Sequence, residues 1–335
     1  MSKNNFNFLL VGTGNIARTY AGAVNNLPHI SVVGVVSRSA ERAECFIKDN
    51  RLNNASPAES ISTFTEDFDA VILATPNGMH HQPAIEAAKM GKHVFTEKVL
   101  DIDREKITAM LDECQKHQVK LGVAFQRRLS PDNITLKNMI DKGKLGKIFA
   151  VDLRVKLYRG QDYYDSAAYR GSKNIDGGGC FIQQAIHNID ILCHFFGLPE
   201  KTISAYGTFT HQMEAEDHGA ALLVYPDGKI ASIVASTACK PGFLNRMEIH
   251  SDKGSIILEN DQIVHWTIDG SVNPAQKVKN IHTGGSMAVE DTSAHEQLLE
   301  DFVSAVKDDR EPLVSGKSAS MATELIFRIY EGKIN

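Results

Sequence analysis

The chain has 335 residues, of which 42% are hydrophobic and 23% are charged, a composition typical of a globular protein. Its length favours about two domains. A net charge of −5 and the lack of a basic block argue against nucleic acid as a partner. No apolar run reaches the ~18 residues of a membrane helix, and the amino terminus does not resemble a signal peptide, so we expect a cytoplasmic protein with no membrane partner.

Strand-like apolar runs alternate with helix-like stretches through residues 1–124. The expected strands are 6–11, 30–36, 70–74, 93–96 and 119–124. Helices are expected from Ile16 onward and over 40–49, with Ser39 as cap, and over 82–90 and 103–117. This alternation predicts a doubly wound parallel sheet with helices on both faces, and therefore an α/β domain over 1–124.

The pattern changes in residues 125–335. Apolar and polar residues alternate from 149 to 157, within a predicted strand at 148–158. Short links join the later strands, which favours an antiparallel meander. We therefore expect an α+β domain on a large, mostly antiparallel open sheet, whose second face would be an oligomer interface if it is apolar. The later strands are 220–225, 229–236, 246–251, 255–260 and 262–267, and the helices are 181–196, 293–305 and 318–330.

A glycine-rich turn follows the first strand and opens a helix. Its sequence, GTGNIA at 12–17, is the G-x-G-x-x-G/A pattern of dinucleotide-binding folds. The first glycine allows a tight turn, the second lets the backbone approach a pyrophosphate, and the helix N-terminus attracts the phosphates. The predicted cofactor-binding residues of this turn are Gly12, Thr13, Gly14, Asn15 and Ile16.

The second strand ends without the acidic residue that binds the ribose diol of NAD. Ser37 and Arg38 stand there instead, and a hydroxyl and a guanidinium suit a 2′-phosphate. This position favours NADP over NAD. The alternative is that Arg38 stacks on adenine or is solvated, which leaves NAD open.

Two further strand ends carry polar residues where ligands bind in doubly wound sheets. Thr75, Pro76 and Asn77 follow one strand, and Glu97 and Lys98 follow the next. All five are predicted cofactor-binding residues. Lys98 would also reach a substrate oxygen, where it could polarise a carbonyl or hold a hydroxyl. The alternatives are an ordinary turn and a solvated charge.

The predicted helix 181–196 is unusual because its polar residues are amides and imidazoles. Gln183, Gln184, His187, Asp190 and His194 recur at spacings of three or four, which predicts one shared face. A hydrogen-bonding pocket suits such a face, and His187 is its natural general acid/base. The alternative for His187 is a core histidine bonded to the amides. We expect no metal site, because no Cys or carboxylate cluster completes one.

Together these motifs resemble the Gfo/Idh/MocA oxidoreductases, which include glucose–fructose oxidoreductase and inositol dehydrogenase. The resemblance also includes GKHVFTEK at 91–98, AFQRR at 124–128, DGGG at 176–179 and HEQLLEDFV at 295–303. It implies a Rossmann domain followed by an open-sheet domain, a homodimer or homotetramer, and catalytic roles for Lys98 and His187. Val99 stands where the family has proline. Gln183 stands where polyol-oxidising members often have Asp.

The residues Tyr163-Tyr164-x5-Arg170-Gly171, followed by GGGCFIQQAIHNID at 177–190, look more like the branch that acts on amino-sugar nucleotides. Tyr164, Arg170, Gln183 and Gln184, together with Gln126, are then predicted substrate-binding residues beside Lys98 and His187. We expect NAD(P)-dependent hydride transfer to or from a ring alcohol or ketone of a sugar or sugar nucleotide, with C3 favoured. Alternatives are an inositol or polyol dehydrogenase, a reductase with an apolar pocket, and a cofactor-binding regulator without catalysis.

Overall fold

The structure is a computed structural model, and it describes residues 5–275 and 291–334. Its strands are β1 Phe6–Val11, β2 Ile30–Val36, β3 Ser56–Ala58, β4 Ala70–Leu73, β5 His93–Thr96, β6 Leu121–Val123, β7 Ile148–Lys156, β8 Lys201–Gly207, β9 His218–Val224, β10 Ile230–Ser236, β11 Arg246–Ser251, β12 Gly254–Glu259 and β13 Gln262–Trp266. Its helices are α1 Asn15–Asn25, α2 Ala40–Asp49, α3 His81–Lys89, α4 Arg104–Lys116, α5 Pro131–Asp141, α6 Gln161–Asp165, α7 Ile186–Phe196, α8 Ser293–Lys307 and α9 Gly316–Glu331.

The chain forms two compact units. The first comprises 1–126 and 285–320, and the second comprises 127–284 and 321–335, each within the described residues. The sequence predicted a dinucleotide-binding domain over 1–124 and a substrate domain over 125–335. As a division by function, this stays a prediction. By packing, the first unit also includes α8, because this late helix lies against α1.

The first unit is a six-stranded parallel sheet in the order β3-β2-β1-β4-β5-β6. The predicted doubly wound sheet is confirmed, and β1, β2 and β5 begin and end where the sequence predicted. Strand β3 was not predicted, because its three residues include a proline. Helix starts follow local chemistry: Ser39 Oγ accepts from the Arg42 N–H at 3.4 Å, and Asp103 accepts from the N–H groups of Glu105 and Lys106.

Helix α8 closes the core of the first unit. Phe302 is fully buried, and its ring centroid lies 6.2 Å from that of Phe8 and 5.4 Å from that of Phe95. His295 packs edge-on against Tyr20 of α1, with ring centroids 5.3 Å apart. Rings of this size bury much apolar surface, so α8 stabilises the first sheet directly.

The second unit is a seven-stranded sheet in the order β13-β12-β11-β7-β10-β9-β8. It is mostly antiparallel, as predicted, but the predicted simple meander is wrong. Strand β7 lies between β10 and β11, and it pairs in parallel with β10. The short link between β10 and β11 therefore joins strands that are not neighbours. Strand β8 and helix α5 were not predicted.

One face of the second sheet carries the core. Val151, Leu153 and Val155 of β7 are almost fully buried, while the residues between them are more exposed. This pattern confirms the predicted alternation over 151–155, whereas Phe149, at the start of the predicted range, is 53% exposed. The buried residues of α7 include Ile189 and Leu192, which belong to the same core.

Candidate functional site

The glycine turn after β1 has the geometry that phosphate binding requires. Gly12 has φ +111°, and a Cβ there would lie 2.6 Å from the carbonyl oxygen of Ala74. Only glycine fits this position. Gly14 is the extended N-cap of α1, and a Cβ added to it would meet nothing within 4 Å, so its backbone faces open space. Thr13, Asn15 and Ile16 complete the turn, at the helix N-terminus whose N–H groups fit a pyrophosphate.

The end of β2 lies beside this turn. Ser37 is nearly buried, and its Oγ is 3.4 Å from Thr13 Oγ1. Arg38 is exposed. The structure therefore brings the predicted adenine-ribose residues next to the glycine turn, and no carboxylate hydrogen-bonds with either of them in the described part of the chain.

The ends of β4 and β5 are adjacent because the two strands pair in parallel. Thr75 and Asn77 are partly exposed and Pro76 is exposed, in the turn that leads to α3. Thr75 Oγ1 donates to the carbonyl of Met79 at 3.3 Å. Lys98 follows β5 and is partly exposed, and its peptide bond to the buried Val99 is cis.

Glu97 is held inside the first unit. Its side chain accepts a hydrogen bond of 2.6 Å from the Tyr20 hydroxyl and another of 3.2 Å from the Lys98 N–H. Burial, and then the charge of Glu97, raise the pKa of Tyr20 well above its usual value, so Tyr20 stays a donor. Sequence reasoning missed Tyr20, because an aromatic residue in α1 is typical of a core position. The carboxylate orients the backbone at Lys98, and a direct cofactor contact of Glu97 stays a prediction.

Gln126 lies in a short 3₁₀ turn, Gln126–Leu129, just after β6. Its side-chain oxygen is buried without a hydrogen-bond partner in the described chain. Such an acceptor costs free energy unless a ligand or water satisfies it, which suits the predicted substrate role.

The polar helix of the second unit begins with a π-helical turn, Cys180–Ala185, and continues as α7. Gln183 and Gln184 lie in the π turn, and His187 lies in the first turn of α7; all three are partly exposed. Gln183 Nε2 donates to the carbonyl of Asp176 at 2.7 Å. The predicted uniform α-helix over 181–196 is therefore wrong in its first turn, and π turns are frequent at functional sites.

Asp190 differs from Gln183, Gln184 and His187 in burial. It is fully buried, and Arg128 binds it through Nε–Oδ2 at 2.8 Å and Nη2–Oδ1 at 2.6 Å. His194 is half-buried, and the loss of solvent around its ring lowers its pKa to about 4. Asp190 therefore anchors α7 to the 3₁₀ turn at Arg128, and His194 is a neutral side chain at neutral pH.

A buried carboxylate fixes the start of the π turn. Glu216 accepts hydrogen bonds from the N–H groups of Gly179 and Phe181, and from the Tyr330 hydroxyl at 3.0 Å. A Cβ at Gly179 would lie 1.8 Å from the Glu216 carbonyl oxygen, so glycine is required there. The DGGG motif thus has a packing role. Sequence reasoning missed Glu216, since no local pattern connects residue 216 with residue 179.

Two arginines flank one tyrosine near this helix. Arg170 lies 4.1 Å and Arg159 lies 5.0 Å from the centre of the Tyr163 ring. Arg159 Nη2 donates to Gln184 Oε1 at 3.1 Å, and Gln184 Nε2 donates to the Tyr163 hydroxyl at 3.2 Å. We call Arg159, Tyr163, Arg170 and Gln184 the arginine cluster. Within the described residues neither guanidinium has a carboxylate partner, and both Nε atoms are buried without a hydrogen bond.

Tyr164 differs from its neighbour. It is buried, its hydroxyl hydrogen-bonds with Thr237 Oγ1 at 2.7 Å, and burial raises its pKa to about 12. Tyr164 is therefore held by a buried hydrogen bond with Thr237 and is not part of the arginine cluster. Tyr163 contacts both arginines instead, and Arg159, which follows β7, was missed by sequence reasoning.

Two other classes of site find no support in the described residues. No group of three or more His, Cys, Asp or Glu side chains in 5–275 and 291–334 is arranged to hold a metal ion. Over the same ranges, no helix is both long and apolar enough to cross a membrane.

Family models match both units. The model of the oxidoreductase family with an NAD-binding Rossmann fold matches residues 6–125. Fold and glycine turn together thus define an oxidoreductase that uses a nicotinamide dinucleotide. The model of the GFO/IDH/MocA C-terminal domain matches residues 134–257. The chain belongs to the Gfo/Idh/MocA family, and the resemblance inferred from its motifs is confirmed.

Several relatives of the chain are dehydrogenases. Inositol 2-dehydrogenase from Rhizobium meliloti is 26% identical over 330 residues, 95% of this chain and 94% of the relative. The crystal structure of the WlbA dehydrogenase from Bordetella pertussis, in complex with NADH and UDP-GlcNAcA, is 28% identical with a TM-score of 0.86, covering 98% of this chain and 96% of that one. The WlbA structure from Chromobacterium violaceum, with the same ligands, has 25% identity, a TM-score of 0.85 and coverage of 99% and 94%.

Proposed function

We propose that the chain transfers hydride between a nicotinamide cofactor and a ring alcohol or ketone of an anionic sugar derivative, with C3 of a sugar nucleotide as the favoured position. The arginine cluster carries this proposal. Its two guanidiniums lack a carboxylate partner within the described residues. Arginines without such a partner recognise carboxylate or phosphate oxygens through paired N–H groups, so the cluster is suited to an anionic substrate.

The WlbA structures support an anionic sugar as the substrate. WlbA was crystallised with UDP-GlcNAcA, which carries both a uronate and a diphosphate. The second candidate is an inositol dehydrogenase, which the Rhizobium meliloti relative favours. Against it stands Gln183, where the family resemblance leads us to expect Asp in polyol-oxidising members. An uncharged inositol would also leave both arginines of the cluster unused.

The reaction assigns one task to each polar residue. Oxidation removes a proton from the hydroxyl and a hydride from its carbon, and the bound nicotinamide ring supplies the hydride acceptor. His187 takes the hydroxyl proton as general base, since an imidazole is suited to this near neutral pH. Lys98 donates a hydrogen bond to the same oxygen and stabilises the charge that develops there. In reduction His187 returns the proton.

The amides orient the sugar. Gln183 uses its amide nitrogen to bind Asp176, which leaves its oxygen to accept from a sugar hydroxyl. Gln184 joins the π turn to the arginine cluster, so a sugar ring held at the amides would have its charged substituent at Arg159 and Arg170. Gln126 supplies a further acceptor. Tyr164 supports this arrangement through packing.

The choice between the two nicotinamide cofactors rests on the end of β2. Ser37 and Arg38 lie there, and no carboxylate in the described chain is bonded to either of them. We therefore propose NADP as the preferred cofactor, although the structural relatives contain NADH. Replacing Arg38 by Asp should raise kcat/KM with NAD relative to NADP. An unchanged cofactor ratio would contradict the role of Arg38.

The test of the function is a substrate panel followed at 340 nm. It contains UDP-GlcNAcA, UDP-GlcNAc, myo-inositol and glucose, each with NAD and NADP. We expect turnover of the uronate, with a loss of about 10²- to 10⁴-fold in kcat for Lys98→Met and for His187→Asn. Normal turnover in either variant would contradict its catalytic role.

Variants of the arginine cluster separate the substrate classes. Arg159→Gln and Arg170→Gln should each raise KM for the uronate by about 10- to 100-fold, because each removes a charge-assisted hydrogen bond. Arg310→Gln, on a partly exposed arginine that pairs with Asp301, is the matched control. Turnover of myo-inositol alone would favour the second candidate. Tight cofactor binding with no turnover of any sugar would favour the regulator.

The open face of the second sheet supports a homo-oligomer. Ile203 and Leu222 are direct cross-strand neighbours on it, and they are 48% and 44% exposed; Ile230 is 49% exposed. Exposed aliphatic side chains in one sheet favour a protein contact. We propose a homodimer or homotetramer through this face. Leu222→Lys should lower the mass in light scattering, whereas Leu244→Lys, in a loop, should leave it unchanged.

A cytoplasmic location is part of the same proposal. All five cysteines are free thiols, and three of them, Cys114, Cys180 and Cys193, are buried. Free thiols suit a reducing compartment. Fractionation of cells that express the native chain would test this placement.

A further inference from the structure

One buried histidine of the first unit joins two segments of the proposed site. His80 is fully buried at the N-cap of α3. Its Nδ1 lies 2.6 Å from the carbonyl oxygen of Val99, and its Nε2 lies 2.8 Å from the carbonyl oxygen of Thr75. Both partners are acceptors, so a ring N–H donates to a backbone carbonyl in either tautomer.

The two carbonyls belong to neighbouring strand ends, beyond the point where the strands are joined. The last ladder bond between these segments runs from the Glu97 N–H to the Leu73 carbonyl at 2.9 Å. After it, one segment continues through Thr75 toward Asn77, and the other continues through Lys98 to Val99. Among the described residues, the His80 side chain contacts the backbone of both. The side chain therefore links the two segments just beyond the last backbone hydrogen bond between them.

We propose that His80 is a positioning residue that fixes the backbone at Lys98 relative to the Thr75–Asn77 turn. The proposal rests on the proposed function, because that function makes Lys98 the group that binds the reacting oxygen. A lysine side chain is long and flexible, so its ammonium group is placed well only if the backbone beneath it is fixed. His80 touches neither substrate nor cofactor in this role.

Removing the ring takes its N–H donor away from the carbonyls of Val99 and Thr75. Leucine fills a similar volume but donates nothing, so His80→Leu frees both segments from each other. Glutamine keeps amide N–H donors on a side chain of similar reach, so His80→Gln should restore part of the connection. A displacement of about 1 Å at a catalytic group can lower a rate about 10²-fold.

A matched control lies at the other end of β5. His93 is the first residue of that strand, and its Nδ1 accepts from the Lys120 N–H at 3.0 Å. It too is a histidine bonded to the backbone next to a neighbouring strand. His93→Leu therefore reproduces the loss of such a bond at the edge of the sheet away from Lys98.

The experiment compares the parent chain with His80→Leu, His80→Gln and His93→Leu. Hydrogen–deuterium exchange of peptides covering 97–102 and 75–79 should speed up in His80→Leu, less in His80→Gln, and not in His93→Leu. On the substrate that the parent turns over, kcat should fall about 10- to 100-fold in His80→Leu while KM for the sugar stays within about threefold, with partial recovery in His80→Gln.

Three results overturn the proposal. They are unchanged exchange at 97–102 in His80→Leu, a kcat within twofold of the parent, and an equal loss of kcat in His93→Leu. If the parent turns over none of the sugars, the proposed function fails by itself. Hydrogen–deuterium exchange at 97–102 and NADH affinity, measured by fluorescence, then test the role of His80. Faster exchange and at least threefold weaker NADH binding in His80→Leu support the role, and unchanged values overturn it.

Discussion

The glycine turn of the first unit and the polar helix of the second are built by opposite means. The turn consists of backbone conformation: φ +111° at Gly12 and open space at Gly14, within a few residues of one strand. The helix is held by buried charges from distant segments, with Arg128 on Asp190 and Glu216 at the start of the π turn. Backbone sites are specified locally, whereas side-chain networks require the whole fold.

The two designs also respond differently to substitution. A backbone site tolerates most side-chain changes and fails where a Cβ is added at the wrong glycine. A network of buried charges fails when one partner is removed, because the other stays buried without compensation. Matched substitutions in the two regions should therefore have different effects on stability and on binding.

The largest expected effect is in the second unit. Arg128→Met should lower the free energy of unfolding by about 3–5 kcal/mol, because Asp190 would stay buried without its partner. The double variant Arg128→Met/Asp190→Leu should recover much of this loss. Arg246→Met, on a partly exposed ion pair, should cost about 1 kcal/mol or less. Urea unfolding measures the free energy of unfolding of all three variants. Equal decreases for Arg128→Met and Arg246→Met would contradict the expected difference between a buried and a partly exposed ion pair.

The glycine turn should separate folding from cofactor binding. Gly12→Ala places a Cβ 2.6 Å from the Ala74 oxygen at a positive φ, so it should destabilise the chain by about 1–3 kcal/mol. Gly14→Ala meets no protein atom within 4 Å, so it should leave stability nearly unchanged and weaken NADH binding about tenfold or more. Thermal unfolding and fluorescence titration test the pair. Equal NADH affinity in Gly14→Ala and the parent would argue against a pyrophosphate at this turn.

In each unit a tyrosine donates a hydrogen bond to a buried carboxylate. Removing the two hydroxyls should lower the free energy of unfolding by different amounts. Glu97 accepts from Tyr20 at 2.6 Å and from one backbone N–H, whereas Glu216 accepts from Tyr330 and from two backbone N–H groups. Tyr20→Phe should therefore cost about 1–3 kcal/mol and Tyr330→Phe about 1 kcal/mol. Chemical unfolding measures the free energy of unfolding of both variants. A larger decrease in Tyr330→Phe than in Tyr20→Phe would contradict this ranking.

A further expected effect is a pH dependence in α7. Burial lowers the pKa of His194 to about 4 in the folded chain, against 6.5 for an ordinary histidine. Between these values the unfolded chain binds more protons, so the free energy of unfolding should fall as the pH drops from 6.5 toward 4. His194→Gln should reduce this slope. Unfolding curves at several pH values measure it, and a steeper slope in the variant would contradict the assignment.

The sequence predicted those features that depend on neighbours in the chain. Strands β1, β2, β5 and β11 and the turn at Gly12 follow from apolar runs and glycine spacing. Features that depend on distant partners were missed or wrong. The burial of Asp190 depends on Arg128, 62 residues away, and the meander fails because β7 pairs with β10 in parallel. Tyr164 and Tyr163 are adjacent in sequence, and only packing shows which of them is buried.

Helix α8 carries a consequence for how the chain is made. Phe302 fills the core around Phe8 and Phe95, yet it is synthesised long after both of them. The second unit has the same dependence, because Tyr330 of α9 binds Glu216. Residues up to Phe302 must therefore be synthesised before the first unit can close, and residues up to Tyr330 before the second can. A premature stop codon shortly before α8 would leave both units open, and the nascent chain must avoid aggregation until α8 and α9 have been made.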